Sequence, residues 1–174
     1  MKSPLLRHAA TYGFYIGLVL IVLALLSYLL FDQQNKAFNI LSNWLIPILG
    51  IAWATVQYRD KEKGGFLSYG DSVGYGTLLA LFYGIITSVF AVILVTAIDP
   101  NYMERVAELS RIAFEESGMY SEQQIDVMMA WTEKFTTPPF LFFLGVLGTV
   151  IIGVIISLIV SIFTKRTKPM FYEG

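Results

Sequence analysis

Ser72 stands in Gly70-Asp71-Ser72-Val73-Gly74, the GxSxG spacing that in hydrolases holds a serine nucleophile on a tight turn between a strand and a helix. The base activating it would have to be His8, the chain's single histidine. No strand-like alternation precedes Gly70, and glycine and serine are common wherever membrane helices begin, so a helix start is the expected role of this stretch. Membrane serine hydrolysis at Ser72 is the remotest of the functional readings below, and the chain is expected not to be an enzyme. The absence of cysteine excludes disulfides, thiolate metal sites and cysteine nucleophiles. One histidine excludes zinc sites built from paired histidines. Neither a metal nor a cofactor is expected.

A second group of polar residues could contact a permeating molecule. Asn39, Asn43, Pro47, Gly50, Ala54 and Gln57 recur at spacings of three and four, which on a helix puts them on one stripe. That stripe is expected to face protein. Pro47 has no amide hydrogen for the Asn43 carbonyl, so that oxygen needs another partner at membrane depth. Asn39, Asn43, Pro47 and Gln57 mark a candidate polar path. None of the long apolar runs holds Asp, Glu, Lys, Arg or His, which disfavours transport coupled to a proton gradient.

The elements that position these groups are set by the apolar runs. Residues 73–98 include no charged residue, and those 26 positions would reach roughly 39 Å as a helix. That crosses a hydrocarbon core of roughly 30 Å. Three other runs read alike, and 56% of the 174 residues are hydrophobic, with a mean hydropathy of +0.64. One soluble core of this length would not need so much apolar side chain. The expected fold is all-α, a single integral membrane domain over 1–174, with transmembrane helices at about 11–31, 38–58, 70–98 and 140–163. The lipid bilayer is thus the first partner.

Between the last two spans, 99–139 is soluble in character and is expected to form an extracytoplasmic insert of two short amphipathic helices. Met103, Val106, Leu109 and Ile112 trace one apolar stripe, and Gly118 ends that helix. Ser121 with Gln124 fits a capping box, opening a second helix on which Ile125, Met128, Thr132 and Phe135 share a face. Whether this pair caps the bundle or lies along the membrane surface is left open by periodicity. Its acidic residues lack the alternating ligand spacing of an EF-hand, and a solvated face explains them. Two further helix starts are expected from caps: Ser68 with Asp71, and Asp99 ahead of Pro100.

Small residues repeat every fourth position in two spans. Gly76, Ala80, Gly84 and Ser88 form one ladder, and Gly145, Thr149, Gly153, Ser157 and Ser161 the other. Such ladders let helix backbones approach closely where hydrophobicity gives no preference between lipid and protein. They are expected to pack together, within one subunit or across a symmetric dimer. Gly13 and Gly17 add a GxxxG pair in the first span.

Orientation follows from where the charges sit. The N-terminal arm, the connection after the second span and the tail hold eight of the twelve Lys and Arg residues. The positive-inside rule then places both termini in the cytoplasm and the acidic insert outside. Aromatic residues border the spans, among them Tyr12, Trp53, Tyr58, Phe31 and Trp44, and the tail ends basic and then aromatic as a surface anchor. A net charge of −1 leaves no basic field for nucleic acid.

The layout resembles the domain of unknown function 4199 family, uncharacterised bacterial membrane proteins found mainly in Bacteroidetes. The likeness is carried by YRDKEKGGFLSYGD at 58–71, IDPNY at 98–102 and GVIISLIVSIFTKR at 153–166. It implies a four-helix inner-membrane protein with an extracytoplasmic helical insert, and it brings no activity. The leading expectation is a non-catalytic structural or partner-binding membrane subunit, homo-oligomeric or attached to a larger membrane complex. The alternative is a small permeation or lipid-handling protein using the polar face of the second helix.

Overall fold

The computed structural model describes residues 4–30 and 36–168, and the described residues are helical through every long segment. We number the helices α1 (Pro4–Leu30), α2 (Phe38–Glu62), α3 (Tyr69–Ile98), α4 (Tyr102–Ser117), α5 (Glu122–Phe135) and α6 (Pro138–Thr164). Of these, α1, α2, α3 and α6 are long and apolar enough to cross a membrane. Their outward faces carry large apolar side chains such as Leu29, Trp53 and Phe163, which suits lipid and not water as the solvent. A short polar connection expected over 32–37 is helical from Lys36, and its 32–35 part lies outside the described residues, as do the aromatic border at Phe31, Lys2 in the N-terminal arm and the aromatic end of the tail over 169–174.

The helices overrun the apolar runs, because charged residues at helix ends remain helical. The first helix, described over Pro4–Leu30, takes in Arg7 and His8. The second ends at Glu62 with Arg59 and Lys61 in its last turn, where the helix dipole favours cations. Ahead of Pro47 the chain widens into a π turn over Leu41–Leu45, with the Ile46 amide donating to the Leu41 carbonyl. Pro47 lacks the amide hydrogen and its ring crowds the preceding turn, so a wider turn takes up the misfit.

The chain divides into two compact units, Met1–Thr87 with Val146–Gly174, and Ser88–Gly145. In the first, the glycines set the helix contacts. A Cβ on Gly13 would lie 2.6 Å from Phe82 Cβ, and one on Gly50 would lie 2.9 Å from Ile16. These glycines therefore let α1 close on both α3 and α2. The two ladders meet antiparallel in one chain: Gly76 packs on Ser157, Ala80 on Gly153, and Gly84 on Thr149. Each step of four up α3 is answered by four down α6. Ile51, Leu79 and Ile156 fill the core beside this zipper.

In the second unit, Gly145 packs on Ser88 in the same manner. Ser121 and Gln124 form the expected capping box at the start of α5. Gly118 closes α4 at φ 63°, a left-handed conformation that a side chain would resist. One helix start differs from expectation. Asp99 does not cap α4, which begins at Tyr102 with Asn101 in the cap position. The Asp99 carboxylate is instead taken by the Arg105 guanidinium, and Pro100 falls in the preceding turn.

Candidate functional site

Two places gather side chains with chemical potential, one in each unit. In the first unit, polar and aromatic residues from four helices converge near the starts of α1 and α3 and the ends of α2 and α6. His8 is 9% exposed, and its Nδ1 shares a 2.7 Å hydrogen bond with the Tyr75 hydroxyl. Its ring stacks on Tyr12 at 4.2 Å, and Tyr75 stacks on Tyr58 at 4.5 Å and 3°. His8 Nε2 and Thr55 Oγ1 are buried without a hydrogen-bond partner among the described residues.

One layer over, Thr164 ties three helices. Its hydroxyl lies 2.9 Å from Ser72 Oγ, and its carbonyl accepts from Arg59 Nη1 at 2.9 Å. Arg59 is itself buried and forks onto Asp60 through Nε. The Leu67 and Arg166 backbones exchange two hydrogen bonds, at 2.8 and 2.9 Å, and the Tyr69 hydroxyl donates to the Leu158 carbonyl. Among the described residues this bridge is the only strand-like pairing. The connection before α3 and the chain after α6 are thereby clasped together.

Apart from His8 Nε2 and Thr55 Oγ1, this arrangement uses its polar groups on one another. Ser72 is buried in the first turns of α3, bonded to Thr164, while His8 engages Tyr75. The two members of the serine-histidine pair are thus each held by another residue, and no strand precedes the helix to make the strained turn a nucleophile needs. Ser68 and Asp71 pair as the expected cap, with the Asp71 amide on Ser68 Oγ at 3.1 Å and the Ser68 hydroxyl on the carboxylate at 2.7 Å. Of the candidate polar path, Pro47 is buried and Gln57 half-buried, whereas Asn39 and Asn43 are exposed. Ser161 is buried beyond the end of the zipper. Among the described residues no group of carboxylates and imidazole could hold a metal ion.

The Tyr75 bond has a measurable worth. Tyr75→Phe keeps the stack on Tyr58 but leaves both His8 nitrogens unbonded, and an unsatisfied buried group costs about 1–3 kcal/mol. In a thermal melt of the detergent-solubilised protein this corresponds to a loss of roughly 2–12 °C. An unchanged melting temperature would mean that the hydrogen bond carries no stability.

The second place lies between α4 and α5. A cleft of about 490 Å³ is lined by Met103, Ala107, Met129 and Ala130 together with Glu104, Asp126 and Glu133. Arg111 joins the helices across it, bonded to Glu115 at 2.9 Å and Asp126 at 3.2 Å. The hydrogen bond that Arg111 donates to Glu115, with the Asp126 carboxylate beside it, raises the Arg111 pKa above its ordinary value and keeps it charged. Helical periodicity marked the apolar stripes of both helices but not this cleft, because the lining alternates between faces of two helices.

Comparison with known proteins adds one match. A family model described as protein of unknown function (DUF4199) matches residues 11–166. No curated protein and no solved structure matches.

Proposed function

We propose, from the premise that this chain belongs to the DUF4199 family, that it is a non-catalytic subunit of a membrane complex, holding its partner in the cleft between α4 and α5. The cleft is the observation that carries the reading. Its methionines adapt to varied apolar side chains, and Glu104 and Glu133 offer carboxylates to a basic, apolar segment of the partner. Four spans with both termini cytoplasmic set that cleft on the outer face of the inner membrane. The distribution of lysine and arginine supports this orientation, with eight of twelve in the N-terminal arm, the connection after α2 and the tail.

Mass determination of the complex released from native membranes tests the proposal. The expected mass exceeds that of one 19.5 kDa chain. A multiple of it identifies a second copy as the partner, and another increment an unlike protein. The paired substitution Glu104→Lys with Glu133→Lys should return the mass to that of a single chain. Its stability should stay within about 0.5 kcal/mol, since both positions are exposed. A single-chain mass from the unaltered protein overturns the reading.

A further inference from the structure

The second unit has an apolar face that neither the cleft nor the core uses. Val127, Trp131 and Phe135 follow one another at four-residue spacing along α5 and are 58%, 55% and 41% exposed. At 100° per residue they occupy one side of the helix. Ile125, Met128 and Thr132, on the neighbouring side, are buried or half-buried. Glu122, Asp126 and Glu133 lie on the side opposite the exposed stripe. The helix thus has three faces: one packed, one acidic and one apolar without cover from its own unit.

That third face does not end with the helix. Trp131 stacks on Phe135 at 5.9 Å and 19°, and Phe135 meets Phe140 edge-on at 5.6 Å. Phe140 lies in the first turn of α6, whose length and composition suit a membrane crossing, and Phe143 beyond it is 68% exposed. The apolar surface of α5 therefore runs unbroken into the lipid-facing surface of a span. Lys134 reaches over the Trp131 ring, 5.2 Å from its centre, as a long cationic side chain does when its stem is in an apolar layer and its head at the phosphates.

From this continuity we propose that α5 lies in the bilayer interface at the end where α6 enters it, with Val127, Trp131 and Phe135 immersed at the boundary of headgroups and acyl chains. Tryptophan is enriched at the border of a span, where aromatic belts form, and phenylalanine belongs to the apolar face of an interfacial helix. A helix with one apolar and one charged face takes this position in the plane of the membrane. The acidic face turns toward water, which leaves the cleft open to the aqueous side. The inference needs only that α6 crosses a bilayer, and stands whether or not the cleft takes a partner.

The test uses the full chain in phosphatidylcholine vesicles, where no other protein can cover the face. The chain has no cysteine, so single thiols can be introduced without removing any. Val127→Cys should react with a membrane-impermeant maleimide about tenfold more slowly than Glu133→Cys, since the interface shields one side of the helix and exposes the other. Both positions are on one helix, so mixed orientations in the vesicles affect them equally. A Trp44→Phe, Trp53→Phe variant isolates Trp131 for a second measurement that needs no thiol. Its fluorescence should be quenched by lipids brominated high on the acyl chain and spared by aqueous acrylamide. Equal maleimide rates, or quenching by acrylamide alone, overturn the proposal.

Discussion

Gly153→Ala is expected to lower the melting temperature by roughly 2–12 °C, from an overpacking cost of about 1–3 kcal/mol. An added methyl would collide with the Ala80 methyl across the zipper, and both belong to helices pinned by further contacts above and below. The collision is reciprocal, which gives the prediction its sharpest form. Moving the methyl from one rail to the other, in the double variant Ala80→Gly with Gly153→Ala, should restore most of the loss, and a double-mutant cycle isolates that coupling. Gly148→Ala supplies the control, because nothing lies within 4 Å of the position its Cβ would take. Equal losses at Gly148 and Gly153, or no recovery in the double variant, would show that close approach of α3 and α6 is not what the glycine provides.

Arg59→Ala should cost about 1.5–3 kcal/mol, the range for a hydrogen bond to a charged group, and lower the melting temperature by roughly 3–12 °C. The guanidinium is buried and bridges the ends of two spans, donating to the Thr164 carbonyl while its Nε holds Asp60. Arg59→Lys should recover only part of this, because a single ammonium cannot donate along both directions of the fork. Full recovery with lysine would mean that charge alone matters at this position. Hydrogen exchange at the Leu67 and Arg166 amides gives a second readout, since their mutual bonds belong to the same clasp.

The elements legible in the sequence were those whose cause is local. Apolar runs fixed the four span-length helices, and a four-residue repeat identified the residues that the structure sets face to face between α3 and α6. Caps at Ser68 with Asp71 and at Ser121 with Gln124 needed three residues of context, and both formed. Asp99 had the same local signal, yet the helix begins at Tyr102 with Asn101 in the cap position, and the Asp99 carboxylate pairs with Arg105. The buried cluster was out of reach for a related reason. His8 and Arg59 stood in segments counted for their charge, and their partners Tyr75 and Thr164 lie 67 and 105 positions away. No periodicity reports a contact of that separation. The exposed stripe of α5 was in the sequence, at the four-residue spacing of Val127, Trp131 and Phe135, but the neighbouring stripe through Ile125 and Met128 was the stronger pattern and hid it.

A ladder with equal rungs on both rails carries no mark of its own alignment. Slide α6 by four residues along α3 and Gly76 meets Gly153, Ala80 meets Thr149, and the close fit of small on small is nearly as good as before. What distinguishes the native setting is the bond between the Ser72 and Thr164 hydroxyls: after the slide Val160 takes the place of Thr164, and Ser157 becomes the ladder hydroxyl opposite Ser72. A buried polar pair that must be remade biases the register, much as a lone buried asparagine does in a coiled coil. The hydroxyl pair thus works as a vernier, reading out which of several equivalent notches the two helices have entered.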